Sequence, residues 1–243
     1  MLPNFYGKNI FPFYSFKLYI SSREFYEQLL FSKGFKASIT DSKKSLSLSL
    51  LLKRHKFKLS DNHNPYFDKE FLPFSNLSLK FRHVFELNSN RNYIPKLHTK
   101  FLIEPTVIIN QKSEILEKRS YPMIISKFQA KMNFPFNATV HLDSGVILSQ
   151  YQIPFCKRFH NGGSPPMRGI LYGDFAPKNG EISRGSDFFF SVGIDQAFPF
   201  YTYQSRLQWH VFLNAGISKL SNRQCSTDKD VYFSGGSDFM YFM

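Results

Sequence analysis

Residues 76–87 read NLSLKFRHVFEL. Laid out as an extended chain, they put Leu77, Leu79, Phe81, His83, Phe85 and Leu87 on one face. Ser78, Lys80, Arg82 and Glu86 fall on the other. A period of two is the mark of a β-strand whose two faces meet different surroundings. The pattern recurs along the chain. Residues 124–133 set Phe128, Ala130 and Met132 against Lys127, Gln129 and Lys131. Residues 137–148 set Ala138, Val140, Leu142, Val146 and Leu148 against Asn137, Thr139, His141 and Asp143. In residues 206–217, Leu207, Trp209, Val211, Leu213 and Ala215 oppose Arg206, Gln208, His210 and Asn214. Leu46, Leu48 and Leu50 alternate with serines.

Weaker strands are predicted near Tyr14, Gly34, Lys100 and Asp187 and over the last dozen residues. The total is about ten strands, and the only helical candidate is SREFYEQLLF, residues 22–31. The strands are longer than the ~5–6 residues common in soluble sheets. They match the ~9–11 residues of a tilted strand that crosses a bilayer. The same alternation fits a sandwich with its apolar face inward or a barrel with its apolar face outward. Strand length favours the barrel.

Composition agrees with either architecture. The chain has 243 residues, of which 42% are apolar and 18% aromatic, with 29 Phe and 13 Tyr. Such aromatic content excludes disorder. Runs such as SLSLSLLLK and FFFSVGI are too short for a membrane helix of ~20 residues. The net charge of +13 is spread along the chain without a recognition motif, so no nucleic-acid partner is expected. Cys156 and Cys225 give neither a disulfide framework nor a zinc spacing. The N-terminus carries no secretory signal or transit-peptide pattern. GGSPP and SGGSD lack the strand–helix setting of a nucleophile elbow, and GGSPPMRG lacks the Lys-Ser/Thr of a phosphate loop. The seven His are scattered. No enzyme activity, cofactor or metal is expected. Asn76 and Asn137 match glycosylation acceptors, but both fall on predicted strands.

Two connections are long: residues 60–75, and a Gly- and Pro-rich stretch from about Lys157 to Gly185. The second, with the strands after it, resembles the membrane barrel of the BamA-like β-barrel assembly superfamily, the bacterial surface antigen barrel domain. It looks closest to the mitochondrial branch, the barrel subunit of the sorting and assembly machinery. Three features carry the resemblance, which covers residues 121–243. In CKRFHNGGSPPMRGI, Arg158, Phe159, Gly162, Gly163, Met167, Arg168, Gly169 and Ile170 match the family's strand-ending Arg-Phe pair, Gly-Gly and [V/I]-R-G-[F/Y] loop tip, with Met167 and Ile170 departing from the usual types. Phe212, Asn214 and Gly216 fit the strand that follows the loop. Ser234, Gly236, Phe239 and Tyr241 fit a terminal-strand signal: polar residue, glycine, then two hydrophobics one apart.

The resemblance implies an all-β, transmembrane antiparallel β-barrel with a long loop folded into its lumen. The family barrel has more strands than are counted here, which implies an incomplete or reduced form. Residues 1–243 read as one membrane barrel domain with no separate N-terminal receptor domain. In that family the loop arginine contacts polar groups on the inner wall. A guanidinium is always charged and must be paired when desolvated. Alternation nominates Asp195, on the face of Ser191 and Gly193, with Asn214 adding a neutral bond through its amide oxygen. The implied work is insertion of β-barrel precursors into the mitochondrial, or mitochondrion-related, outer membrane. The implied partners are those precursors, other assembly subunits and membrane lipid. The alternatives are a polypeptide-transporting pore of the same superfamily, a passive porin and a soluble β-sandwich binding module.

Overall fold

The computed structural model describes residues 13–25, 28–41, 43–58, 73–87, 95–110, 120–151, 153–162, 167–171, 174–179, 182–199, 207–221 and 228–241. Gly163, Pro165, Pro166, Cys225 and most of the 60–75 connection lie outside them. The described strands are β1 (Phe13–Phe25), β2 (Gln28–Thr40), β3 (Leu46–Lys58), β4 (Phe74–Leu87), β5 (Lys96–Asn110), β6 (Ser120–Asn133) and β7 (Ala138–Ser149). A two-strand hairpin follows, β8 (Lys178–Asn179) and β9 (Ile182–Ser183). The chain then continues as β10 (Phe188–Pro199), β11 (Leu207–Leu220) and β12 (Asp228–Tyr241). Ten of these form one sheet in the order β1-β2-β3-β4-β5-β6-β7-β10-β11-β12. Neighbouring strands pair antiparallel, as β1 with β2 and β11 with β12, and the sheet is not closed: no pairing joins β1 to β12 among the described residues.

Burial decides which face is which. On β4, Leu77, Leu79, Phe81 and Phe85 are exposed, while Asn76 and Ser78 are 0% exposed. On β3, Leu46, Leu48, Leu50 and Leu52 are all exposed, while Ser49 and His55 are buried. Ile124, Phe128, Leu148, Ile194 and Leu213 repeat this on β6, β7, β10 and β11. Apolar-out with polar-in is what a strand facing lipid requires, and it is the reverse of a sandwich core. A continuous exposed apolar face of this extent marks a surface made for a membrane. No helix of the described residues is long and apolar enough to cross a membrane.

Two compact units divide the chain. In the first, Met1–Val84 with Leu102–Pro122, a buried polar chain links four strands. Ser32 Oγ lies 2.8 Å from His55 Nδ1, and His55 Nε2 lies 2.9 Å from Asn76 Oδ1. Asn76 Nδ2 and Thr106 Oγ1 both donate to Ser78 Oγ, at 2.7 and 2.9 Å. Buried polar groups are tolerated only when bonded in this way. The second unit, Phe85–Phe101 with Met123–Met243, contains the long loop.

Three expectations need correction. Residues 22–25 and 28–31 are strand, not helix: they are the ends of β1 and β2, where Arg23 pairs with Leu30. The ladder to β3 extends through Leu29, opposite Lys58, so the backbone bonds between strands instead of within a helix. Asn137 lies in the β6–β7 turn with φ of 58°, a left-handed conformation that asparagine tolerates, and is not on a strand. The Arg158–Phe159 pair does not end a strand either. β7 stops at Ser149, and the pair follows a 3-10 turn at Phe155–Lys157, inside the loop.

Candidate functional site

The loop between β7 and β10 lies against the polar face of the second unit. Its tip is a tight turn at Met167–Ile170, where the Ile170 amide donates to the Met167 carbonyl at 3.4 Å. Gly169 has φ of 84°, which the third position of a type II turn requires and a side chain resists. Gly162 also has positive φ, 124°, while Gly163 lies outside the described residues. Met167 is buried and Ile170 half-buried, so the tip is anchored by its apolar residues.

Register explains what the tip meets. Across β10, β11 and β12 one row is Asp195–Phe212–Gly236 and the next is Gly193–Asn214–Ser234. Arg168 reaches the first row. Its Nη1 lies 3.0 Å from Asp195 Oδ2, and its guanidinium carbon lies 5.3 Å from the centre of the Phe212 ring. The charge is therefore held between a carboxylate and an aromatic face, both of which suit a planar guanidinium. The other oxygen of Asp195 accepts from His210 Nδ1 at 2.9 Å. Gly236 supplies the space: a Cβ there would lie 3.0 Å from the Phe212 ring.

The second row takes the main chain of the tip. The Arg168 carbonyl accepts from Asn214 Nδ2 at 2.8 Å and from Ser234 Oγ at 2.7 Å. Asn214 thus binds Arg168 through its amide nitrogen and the backbone. The bond expected from guanidinium to amide oxygen gives way to this one: the guanidinium lies by Asp195 and Phe212, and the amide by the Arg168 carbonyl. Ser234 and Gly236, read from the sequence as a terminal-strand signal, both touch the loop site. Phe239 and Tyr241 pair in register with Trp209 and Leu207.

The second unit thus carries an arginine-tipped loop on the polar face of long antiparallel strands. The chain matches the Omp85 superfamily domain over residues 21–238. It belongs to the Omp85 superfamily. No curated protein matches the chain significantly. Omp85 membership supports a role in outer-membrane protein insertion or transport in general, and with the β-rich fold it supports an outer-membrane location.

The root of this Omp85 loop is as firmly built as its tip. Arg158 is buried, and it donates from Nε to the Ile153 carbonyl at 3.1 Å and from Nη1 to the Arg184 carbonyl at 2.9 Å. Phe159 and Ser186 exchange backbone bonds at 2.8 and 2.9 Å, which closes the loop. His160 Nε2 donates to the Phe155 carbonyl at 3.1 Å. Burial holds the His160 imidazole below its ordinary pKa; the Phe155 carbonyl opposes that shift and the nearby Arg158 charge adds to it. Midway, Phe175 packs edge-on to Phe189 of β10 and Tyr232 of β12. It sits over Gly216, where a Cβ would come within 2.7 Å of the ring.

Sequence reasoning missed four of these contacts: Phe212, His210, Phe175 and the Ser234 hydroxyl. Parity along β11 was the available signal, since His210 and Phe212 share the face of Asn214.

Proposed function

We propose that this Omp85 chain acts in β-barrel assembly, inserting and folding β-barrel precursors into the mitochondrial outer membrane. In this reading it works as the barrel subunit of a sorting and assembly machinery. The carrying observation is the MRGI tip seated by Arg168 between Asp195 and Phe212. A precursor strand in lipid has no water to satisfy its backbone groups, so leaving them unpaired costs several kcal/mol each. β1 pairs only with β2 among the described strands, and its Phe16, Leu18 and Ile20 are highly exposed. Such an edge is a template on which a precursor strand adds by backbone pairing. In this mechanism the docked loop holds β10–β12 in register while the edge works. The proposal involves no bond chemistry, nucleotide or metal. Its partners are precursor barrels, other assembly subunits and lipid.

Depletion in the organism that makes the protein tests this. We expect other outer-membrane barrels to fall in abundance before any soluble import substrate does. Unchanged barrels with blocked passage of soluble polypeptides would favour the transport reading instead.

A further inference from the structure

Beside the loop tip, three adjacent strands surround a cavity that the assembly reading does not use. It measures about 170 Å³ and is lined by His98 and Lys100 of β5, Gln129 and Lys131 of β6, and His141 and Asp143 of β7. That is room for several waters or one small oxyanion. Its groups are arranged by register, with Lys131 opposite His141 and Gln129 opposite Asp143. On the far side His141 faces Gly193 of β10, which brings no side chain of its own. Lys100 Nζ donates to Gln129 Oε1 at 3.2 Å, and Gln129 Nε2 donates to Asp143 Oδ2 at 3.1 Å. The other oxygen, Asp143 Oδ1, is buried and makes no hydrogen bond among the described residues. His98 is itself paired with Glu86 at 3.0 Å.

We propose that this cavity is a phosphate site, for free phosphate or for a phosphomonoester headgroup. Two lysines and two imidazoles on three strands surround one small volume, and a tetrahedral oxyanion presents oxygens to all three. The carboxylate selects among oxyanions. An acceptor-only Asp143 Oδ1 needs a donor, which inorganic phosphate carries as an O–H in both of its neutral-pH forms and a phosphomonoester carries in its monoanion. Sulfate and carboxylate ligands are fully deprotonated at neutral pH and would face Asp143 with repulsion. The site is independent of whether the protein assembles barrels or transports polypeptides.

The test is isothermal titration of the full chain in detergent micelles with inorganic phosphate and with sulfate. A parallel arm measures binding to nanodiscs containing phosphatidic acid or phosphatidylcholine only. We expect phosphate to bind at least about tenfold more tightly than sulfate. Asp143→Asn should erase that preference, and Lys131→Gln, at an exposed position, should weaken phosphate about tenfold without disturbing the sheet. Preferential capture of phosphatidic acid nanodiscs that is lost in Lys131→Gln would support the site and assign its phosphate to a lipid headgroup. Equal binding of phosphate and sulfate, or phosphate binding unchanged in Lys131→Gln, would overturn the proposal.

Discussion

Arg168 holds the loop by two separable means, its charge and its carbonyl. The guanidinium pairs with Asp195, whose side chain is 15% exposed, and stacks on Phe212. The carbonyl is held by Asn214 and Ser234. Arg168→Ala removes only the first and leaves Asp195 with His210 as its remaining partner among the described residues. Removing one partner of a largely buried ion pair costs ~3–5 kcal/mol. Because the Arg168 side chain keeps 21% of its exposure, we expect ~2 kcal/mol for loop docking. Limited proteolysis of the loop will read this as faster cleavage. A double-mutant cycle with Asp195→Ala should show strong coupling, and Arg168→Lys should recover only part of the loss, lacking the planar fork. His160 makes a second, pH-dependent prediction. Its pKa is depressed in the docked loop, so the released loop binds more protons. Docking should be fully stable above the ordinary imidazole value of ~6.5 and weaken as pH falls below it toward the docked value. His160→Gln should flatten that dependence of proteolysis between pH 7.5 and 5.5.

At the scale of elements, the inner wall accepts the loop because glycines in β11 and β12 leave notches. Gly216→Val would drive a methyl group into the Phe175 ring, and overpacking of this kind costs ~1–3 kcal/mol. We expect the loop to become protease-sensitive while the far-UV circular dichroism of the sheet is unchanged. The strands that hold these notches were legible in the sequence, because strict alternation on β3, β4, β6 and β11 has only one extended reading. Asp195 was legible for the same reason, since parity alone put it on the wall. Residues 22–31 misled because Tyr26, Leu29 and Leu30 are spaced in the sequence as on a helix face, and local spacing cannot register the pairing with β3 that overrides it. Phe212 and Phe175 stayed hidden because their partners come from a loop folding back over several strands. Neither period nor spacing encodes that contact.

For the whole molecule, the exposed apolar face must meet lipid. Leu50→Arg on β3 would place a charge on that face, at ~2–4 kcal/mol if it lies near the bilayer midplane. We expect less carbonate-resistant protein for Leu50→Arg and near-normal amounts for Leu50→Phe. Function at this scale joins the Omp85 match, the open β1 edge and the docked tip. The most direct measurement is the insertion rate of an unfolded β-barrel precursor into liposomes, bare or containing this protein. The protein should accelerate insertion, and Arg168→Ala should remove most of the acceleration while keeping normal β-content. A rate no higher than that of bare liposomes, or an Arg168→Ala rate equal to the wild-type rate, would contradict the proposed function.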